Sequence, residues 1–338
     1  MSHPFLIKEI ALQAGVSDAT VDRVLNKRPG VRRHTIQRVR RAIKELEGQS
    51  EQSSMAGRKF VIEVVMQAPD RFSAAVRAAL EVEMPTLQPA VFRARYHFSE
   101  VSRTRELVSL MDAIGRRGAH GLLLKAPDEP EVAAAINRLV ERGVPVVTLV
   151  TDVANSQRAA YVGIDNRAAG ETAAYLIGEW LGGRSAKVLV TLSSSRFRGE
   201  EEREIGFRRG LRERYPNLGI VDISEGFGVD RTTGALVREA LAAEPDIAAV
   251  YSAGGGNLAI LEAFRAMDRP CRVFIGHDLD ADNLALLGAM RISAVLHHDL
   301  RADMRSACRH IMRAHRVLPK ALPPQTSQIQ IVTPFNGP

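Results

Sequence analysis

The chain has 338 residues with a formal net charge of +7, and its 45% hydrophobic and 25% charged content is typical of a globular protein with two or three domains. An apolar run of about 18 residues is absent, which excludes a transmembrane helix, and the two cysteines, Cys271 and Cys308, give neither a disulfide framework nor a metal-binding spacing. The N-terminus has no basic segment followed by a long apolar core, so we expect a cytoplasmic protein without membrane partner, metal or cofactor.

The positive charge is concentrated at the N-terminus. Residues 1–45 contain ten lysines and arginines against four acidic side chains, which gives +6 of the total +7. A compact basic segment on a nearly neutral body is the electrostatic signature of a nucleic-acid-binding module. A solvated charged surface is the alternative explanation for the same composition.

Three short helices are predicted in this basic segment. Ile7, Ile10 and Ala11 share a face of the first helix, and Gly15 allows the left-handed turn that ends it. Ser17 is a suitable N-cap for the second helix. The buried stripes of the second and third helices are Val21, Val24, Leu25, Ile36, Val39, Ile43 and Leu46. Two short helices joined by a tight glycine turn predict a helix-turn-helix, which places its second helix in the major groove of DNA.

The segment IKEIALQAGVSDATVDRVLNKRPGVRRHTIQRVRRAIKEL resembles the head of the lactose-repressor family of bacterial transcription regulators. The resemblance implies that Asp18, Ala19 and Arg23 occupy base-contacting positions of the recognition helix. Arg23 can contact guanine through two hydrogen bonds. The resemblance also implies capping or DNA-backbone contacts for Ser17, Thr20, Asn26, Lys27 and Thr35.

Two aspartates are unexpected on a surface that meets phosphate. The family usually has Ser at the position of Asp22, where a carboxylate repels phosphate unless it accepts from cytosine or pairs with Arg23 or another arginine. Asp18 favours the positive end of the helix or contacts cytosine. We interpret both as capping and as selection against most DNA sequences, with a solvated helix face as the alternative. The lost affinity is restored by the basic side chains Lys27, Arg28, Arg32 and Arg33.

The segment LEGQSEQSSMAGRKF, between head and body, departs from the hinge pattern of the family. Its Gly, Ser and Gln content predicts a flexible linker instead of a hinge helix that bends DNA. Met55 is its one candidate for an apolar wedge in the minor groove. The predicted domains are therefore a DNA-binding head at 1–47, a linker or hinge at 48–59, and an effector-binding and dimerisation domain at 60–338.

The body alternates ten short apolar runs with segments of helical length and period. This alternation predicts α/β architecture with parallel sheets covered on both faces, and ten strands favour two doubly wound subdomains. The order resembles the periplasmic sugar-binding-protein fold that forms the effector domain of the same regulators, most specifically in AYVGIDNRAAGETAAYLI, REIGF and FIGHDLD. The resemblance implies one subdomain at about 60–160 and 294–324, a second at about 161–293 and 325–338, and a ligand cleft between them.

Polar side chains at predicted strand ends are the candidates for an effector site, because doubly wound sheets bind ligands at that edge. A polyol requires carboxylates and guanidinium groups in fixed geometry, with an aromatic side chain over its apolar face. The candidates are Asp70, Arg71, Phe72, Asp152, Asp165, Arg196, Arg203, Gly255, Asp278 and His298. By resemblance, Arg203 and Asp278 are the strongest. His298 stands where the family often has Gln, and Gly255 stands where it often has Asn.

Structural roles are the alternatives for several of these residues. Asp165 is positioned to cap the helix that follows it. Arg196 and Arg203 flank a run of glutamates, so surface salt bridges can explain both. Gly255 belongs to a glycine triplet without the spacing of a phosphate-binding loop, which favours a tight turn. The adjacent His297 and His298 point to opposite sides of a strand, which argues against a shared metal.

Together these patterns predict a sugar- or polyol-responsive transcription regulator, expected to be a repressor. One short module contacts too few base pairs for specificity, so we expect a homodimer on a near-palindromic operator. No catalytic constellation is present in the sequence, so no enzyme is expected. The alternatives are a constitutive DNA-binding dimer whose body senses no ligand, and a sugar-modifying enzyme with a basic accessory head.

Overall fold

The computed structural model describes residues 5–55, 57–319 and 326–337. The head contains three helices, α1 (Ile7–Ala14), α2 (Asp18–Leu25) and α3 (Arg33–Met55). Their apolar stripes form one small core of Ile10, Ala11, Ala14, Val21, Val39 and Ala42. Gly15 ends α1 at φ 60°. Arg38 of α3 donates to the carbonyl oxygens of Ala14 and Gly15 at 2.7 and 3.0 Å, so the third helix caps the first.

The segment expected to be a flexible linker differs in the structure, because α3 continues through it to Met55. Glu, Gln and Met favour helix, and the single Gly48 costs only about 1 kcal/mol in a helix interior. Low-complexity composition was therefore a weaker indicator than helix propensity. The side chain of Met55 lies outside the described part of the structure, so its insertion into the minor groove stays a prediction.

The body contains two sheets with the same winding. The first consists of β1 (Lys59–Gln67), β2 (Val91–Ser99), β3 (Gly121–Lys125), β4 (Val146–Leu149) and β5 (Ala160–Val162), in the order β2-β1-β3-β4-β5. The second consists of β6 (Ala186–Thr191), β7 (Leu218–Ile223), β8 (Ile247–Ser252), β9 (Val273–His277), β10 (Ala294–His297) and β11 (Gln330–Val332), in the order β11-β10-β9-β8-β6-β7. Neighbouring strands are parallel except β10 and β11, the latter an edge strand that the sequence analysis missed.

Helices cover both faces of each sheet. They are α4 (Asp70–Glu83), α5 (Thr104–Arg117), α6 (Pro130–Glu141), α7 (Asn166–Leu181), α8 (Arg198–Arg214), α9 (Asp230–Ala243), α10 (Asn257–Ala266), α11 (Ala281–Gly288) and α12 (Leu300–Ala314). Alternate residues of β1 point to opposite layers: Val64 packs with α4 and α12, whereas Val65 packs with α5 and α6. In the second lobe, Val188 and Val190 of β6 face α7 and α8, and Leu189 faces the layer of α9, α10 and α11.

The chain passes between the two lobes at three segments. The first follows β5, and Ile164 there forms an isolated parallel bridge with Ser327 of the third passage. β10 pairs with β9 of the second sheet, while α12 packs against α4 of the first lobe. The second passage therefore follows His297, a few residues after the approximate position near 294 that the resemblance implied. Within the described ranges, no helix has both the length and the apolar character needed to cross a bilayer.

Candidate functional site

The predicted recognition helix is α2, which presents several exposed side chains. Ser17 caps this helix: its Oγ accepts from the backbone N–H of Thr20 at 3.3 Å and contacts Thr20 Oγ1 at 2.9 Å. Val21 is fully buried beneath. The side chains of Asp18, Ala19, Arg23, Asn26, Lys27 and Arg32 are exposed, and that of Thr35 in the first turn of α3 is half-buried. Most of the predicted contact residues are therefore accessible, and their contact with DNA stays a prediction.

Asp22 is paired inside the head. Its Oδ1 accepts from Asn26 Nδ2 at 2.7 Å, and its Oδ2 lies 3.0 Å from Arg28 Nη1. The pairing arginine is therefore Arg28 and not Arg23, which stays exposed beside it. Asp22 therefore stabilises the turn after α2 and neutralises one of the nearby positive charges.

A cleft lies between the lobes, at the carboxyl ends of the central strands. Its lining comes from the segments after β1, β3, β4, β6, β8 and β9, which is the switch point where doubly wound sheets bind ligands. Five predicted residues line it: Arg71, Phe72, Arg203, Gly255 and Asp278. The other five do not: Asp70, Asp152, Asp165, Arg196 and His298.

Three of the predicted residues that do not line the cleft are carboxylates on its outside. Asp70 is exposed in the first turn of α4. Asp152 forms a 2.5 Å ion pair with Arg158. Asp165 caps α7 by accepting from the backbone N–H of Ala168 at 3.0 Å, which is the structural role weighed against ligand binding.

Arginine side chains join the lobes across the cleft. Arg71 of the first lobe lies 3.0 Å from Asp280 of the second, and it also donates to the Gly228 carbonyl at 2.9 Å. Arg196 of the second lobe pairs with Glu129 of the first at 2.5 Å. Arg196 is therefore an interlobe contact beside the cleft instead of a lining residue.

Gly255 leaves space for the side chain of Arg71, which extends from the first lobe to the second. Its φ of 85° favours glycine, and a Cβ at this position would lie 2.7 Å from Arg71 Nη2. The space left by the missing side chain is thus used by a guanidinium group of the opposite lobe. A ligand group that approaches Gly255 therefore meets Arg71 at this point.

Arg203 and Asp278 are the charged centre of the cleft. Arg203 is buried, and its Nε and Nη1 donate to Asn166 Oδ1 at 2.8 Å and to the Ala253 carbonyl at 3.1 Å. Burial raises the pKa of Asp278, but His298 and Arg203 outweigh burial and hold that pKa below its ordinary value. Asp278 Oδ1 is buried and has no hydrogen-bond partner within the described residues. An ionised acceptor beside a fixed guanidinium suits a hydroxyl-bearing ligand.

Sequence reasoning missed two buried charges in the cleft. The Nζ of Lys125 donates to the Gln67 carbonyl at 3.1 Å and lies 4.1 Å from the ring centroid of Phe197. Burial lowers the pKa of Lys125, and Glu200 opposes that shift. Glu200 accepts from the backbone N–H and hydroxyl of Ser193 at 2.6 and 2.5 Å, and burial raises its pKa. A lysine at the end of the apolar run GLLLK was the available signal.

Strained backbone marks the same cleft. Val150, Phe227 and Asp278 all line it, with φ values of 65°, 55° and 64°. Positive φ is unfavourable for these residues, above all for a β-branched one, and persists where the surrounding structure fixes it. Such clusters are typical of ligand-binding sites.

Similar proteins share the body of this chain. The ribose import binding protein RbsB of Bacillus subtilis is 30% identical over 183 residues, which cover 54% of this chain and 58% of that protein. The glucose-galactose binding protein GanP of Geobacillus stearothermophilus is 20% identical with a TM-score of 0.73, over 83% of this chain and 99% of that one. A solute binding protein of Burkholderia graminis in complex with D-arabinose is 18% identical with a TM-score of 0.73, over 83% and 97%. These two solved structures show the fold alone.

Family models cover both parts of the chain. The model for the periplasmic binding protein domain matches residues 64–314, which include both sheets except β11 and the first residues of β1. The model for bacterial regulatory proteins of the lacI family matches residues 6–47, which contain the helix-turn-helix. The chain therefore belongs to the lacI family of bacterial regulatory proteins, with a periplasmic binding protein domain behind its DNA-binding head.

Proposed function

We propose that this protein is a cytoplasmic repressor that binds operator DNA as a homodimer and is controlled by a sugar or polyol held between its lobes. The observation that carries the proposal is the pairing of a basic helix-turn-helix with a cleft centred on Arg203 and Asp278. A regulator needs one DNA-binding surface and one ligand site that can change it, and this chain has a candidate for each. We propose no enzymatic activity.

The chemistry of the cleft supports a neutral, hydroxyl-rich effector. Asp278 offers an acceptor and Arg203 is fixed beside it, while Phe72 lies in the same lining as an apolar surface. Lys125 and Glu200 are both buried charges of opposite sign, so the lining does not favour a charged ligand. The sugars in the names of the similar proteins, ribose, glucose, galactose and D-arabinose, belong to the same chemical class.

The connection between head and body supports allosteric coupling. α3 ends at Met55 and β1 begins at Lys59, so a short segment joins the head to a central strand. The carboxyl end of β1 leads into the cleft at Gln67 and Arg71. An effector that favours one arrangement of the lobes changes the spacing of the two heads in a dimer, and operator affinity changes by the difference in effector affinity between the two states.

Operator selection from random duplexes with the full-length protein tests the proposal. Selection is carried out without ligand and with D-ribose, D-arabinose, D-glucose or D-galactose. A near-palindromic site whose binding changes with one sugar supports both parts of the proposal. A palindrome that no sugar affects favours a constitutive DNA-binding dimer. The failure to enrich any site contradicts DNA binding by the head.

Replacing Asp22 by Ser is expected to increase affinity for random-sequence DNA several-fold at low salt. The change removes a carboxylate that repels phosphate and frees Arg28, which Asp22 holds at 3.0 Å. One additional phosphate contact steepens the slope of log K against log salt by about 0.9. Fluorescence anisotropy of a short random duplex across a salt series measures both effects. Glu81→Gln, with the same charge change on the body, is the control, and an unchanged slope contradicts the prediction.

Replacing Arg71 by Ala is expected to open the cleft and to weaken effector binding about tenfold. The variant loses two charge-assisted contacts to the opposite lobe, at Asp280 and Gly228, each in the range of about 1.5–3 kcal/mol before solvent screening. Small-angle scattering should give a larger radius of gyration, and calorimetry should give the weaker affinity. Arg77→Ala removes an exposed arginine from the same helix and should change neither value. Equal behaviour of the two variants is the contrary result.

A further inference from the structure

A buried series of polar side chains leads from the cleft to the hinge between the lobes. His298 follows β10, where the chain passes into the first lobe, and it is 1% exposed. Its Nε2 lies 3.6 Å from Asp278 Oδ1, and its Nδ1 is hydrogen-bonded to Asp303 of α12. The hydroxyl of Ser327, on the third passage, donates to the same Asp303. The series therefore connects the second lobe, the first lobe and two hinge segments.

The contact between Asp278 and His298 is incomplete on both sides. Asp278 Oδ1 and His298 Nε2 are both buried without a hydrogen-bond partner in the described part of the chain. At 3.6 Å they are too far apart for a good hydrogen bond and close enough for strong electrostatic attraction. Asp278 lines the cleft and His298 does not. Movement of the carboxylate toward a ligand or toward the hinge therefore changes this contact directly.

We propose that His298 is a positioning residue that orients the effector-binding carboxylate of Asp278 and joins it to the hinge through Asp303 and Ser327. The inference rests on the proposed function, since it takes Asp278 to contact the effector. A neutral amide such as Gln carries no charge and has both N–H donors on one nitrogen, whereas an imidazolium presents one donor from each of two ring nitrogens and attracts both carboxylates. Occupancy of the cleft is thereby transmitted to the passages about which the lobes rotate.

The charges around His298 favour this role. Burial alone lowers its pKa, but Asp278 and Asp303 raise it to about 9. The titratable and charged groups that face it are Asp278 and His277 of β9 and its following turn, His297 and Asp299 of its own segment, Asp303 of α12, and Arg203 of α8 beyond Asp278. Burial lowers the pKa of His277 and of His297, so both are neutral at pH 7. The stabilisation from a protonated His298 is complete below its ordinary pKa of 6.5 and is lost as the pH rises through about 9.

The first experiment needs no ligand. Imidazole NMR titration of the full-length chain, with His298 assigned from the spectrum of His298→Gln, should give a pKa of about 9. Asp278→Asn and Asp303→Asn should each lower that pKa by about 1 to 3 units, because each removes an opposite charge. The control is His310, a histidine elsewhere on α12, whose signal is assigned from the spectrum of His310→Gln. If Asp278→Asn leaves the His298 titration unchanged, the link to the cleft does not exist and the proposal is overturned.

The second experiment measures coupling with D-ribose, D-arabinose, D-glucose and D-galactose. A sugar that binds the wild type at pH 7 should bind His298→Gln about tenfold more weakly, the difference between a charged and a neutral hydrogen bond. Wild-type affinity should fall above pH 9, and the variant should lack this fall. The same fall in the variant assigns it to another group, such as Lys125, and contradicts the proposal.

The change in operator affinity at saturating sugar separates hinge coupling from a purely local role. If His298 couples the cleft to the hinge, the change in operator affinity should be several-fold smaller in His298→Gln than in the wild type, even when the cleft is saturated. An unchanged ratio at saturation overturns the hinge connection. If none of the four sugars binds the wild type, the effector part of the proposed function fails, while the NMR titration still decides the link between Asp278 and His298.

Discussion

Arg203→Met is expected to weaken effector binding by at least roughly 100-fold while the head still binds DNA. Arg203 is buried and lines the cleft together with Asp278, whose pKa it helps to lower, so its loss removes one of the two positive charges that stabilise the carboxylate. Loss of a charged donor to the effector costs about 1.5–3 kcal/mol, the electrostatic support of Asp278 is lost with it, and each 1.4 kcal/mol corresponds to about tenfold in Kd. Calorimetry with the sugar that binds the wild type gives the affinity, and anisotropy with a random duplex gives DNA binding.

The controls for this variant separate binding from folding. Met leaves Asn166 Oδ1 and the Ala253 carbonyl without the donors they have in the wild type, so a lower melting temperature is also expected. Arg203→Lys keeps the charge but not the two-pronged geometry, and it should fall between the wild type and Met. Arg209→Met removes an exposed arginine from the same helix and should change neither affinity nor stability. Wild-type affinity in a folded Arg203→Met contradicts a role for Arg203 in the site.

Local patterns in the sequence were sufficient for the helix-turn-helix and for ten of the eleven strands that the structure describes. The short apolar runs correspond to strands because parallel strands covered on both faces need apolar residues on both sides, as Val64 and Val65 show. The head was predictable for the same reason, since Gly15 and Ser17 fix the turn through their own backbone and side-chain chemistry. β11 has only three residues and pairs with β10 across a long stretch of chain, so local periodicity could not indicate it.

The cleft was predictable only in part, because a residue type at a strand end does not determine where its side chain points. Asp278 enters the cleft, whereas Asp165 caps a helix and Asp152 pairs with Arg158. All three are carboxylates that follow apolar runs, and the competing local partners decide between them. The contact of Arg71 with the other lobe depends on long-range packing that no local pattern contains.

A second large effect is expected where α7 and α8 touch, and it follows from two glycines. A Cβ on Gly206 of α8 would lie 2.1 Å from the Arg167 carbonyl oxygen, and one on Gly170 of α7 would lie 2.0 Å from the Arg203 carbonyl oxygen. Both obstacles are backbone atoms, which cannot move aside as a flexible side chain can. The close approach of the two helices therefore requires glycine at both positions.

Gly206→Ala is expected to destabilise the protein by about 3 kcal/mol or more, which lowers the melting temperature by roughly 5 °C or more for a body of this size. The same separation of helices moves Arg203 of α8 away from Asn166 at the start of α7, so effector affinity should fall as well. Gly288→Ala is the matched control, because that glycine ends α11 with no atom within 4 Å of the added Cβ. The control should be neutral or more stable by up to about 1 kcal/mol, since Ala favours helix. Thermal unfolding of both variants tests this prediction. Equal melting temperatures would mean that α7 and α8 can separate at little cost. The geometry of the cleft would then not depend on their contact.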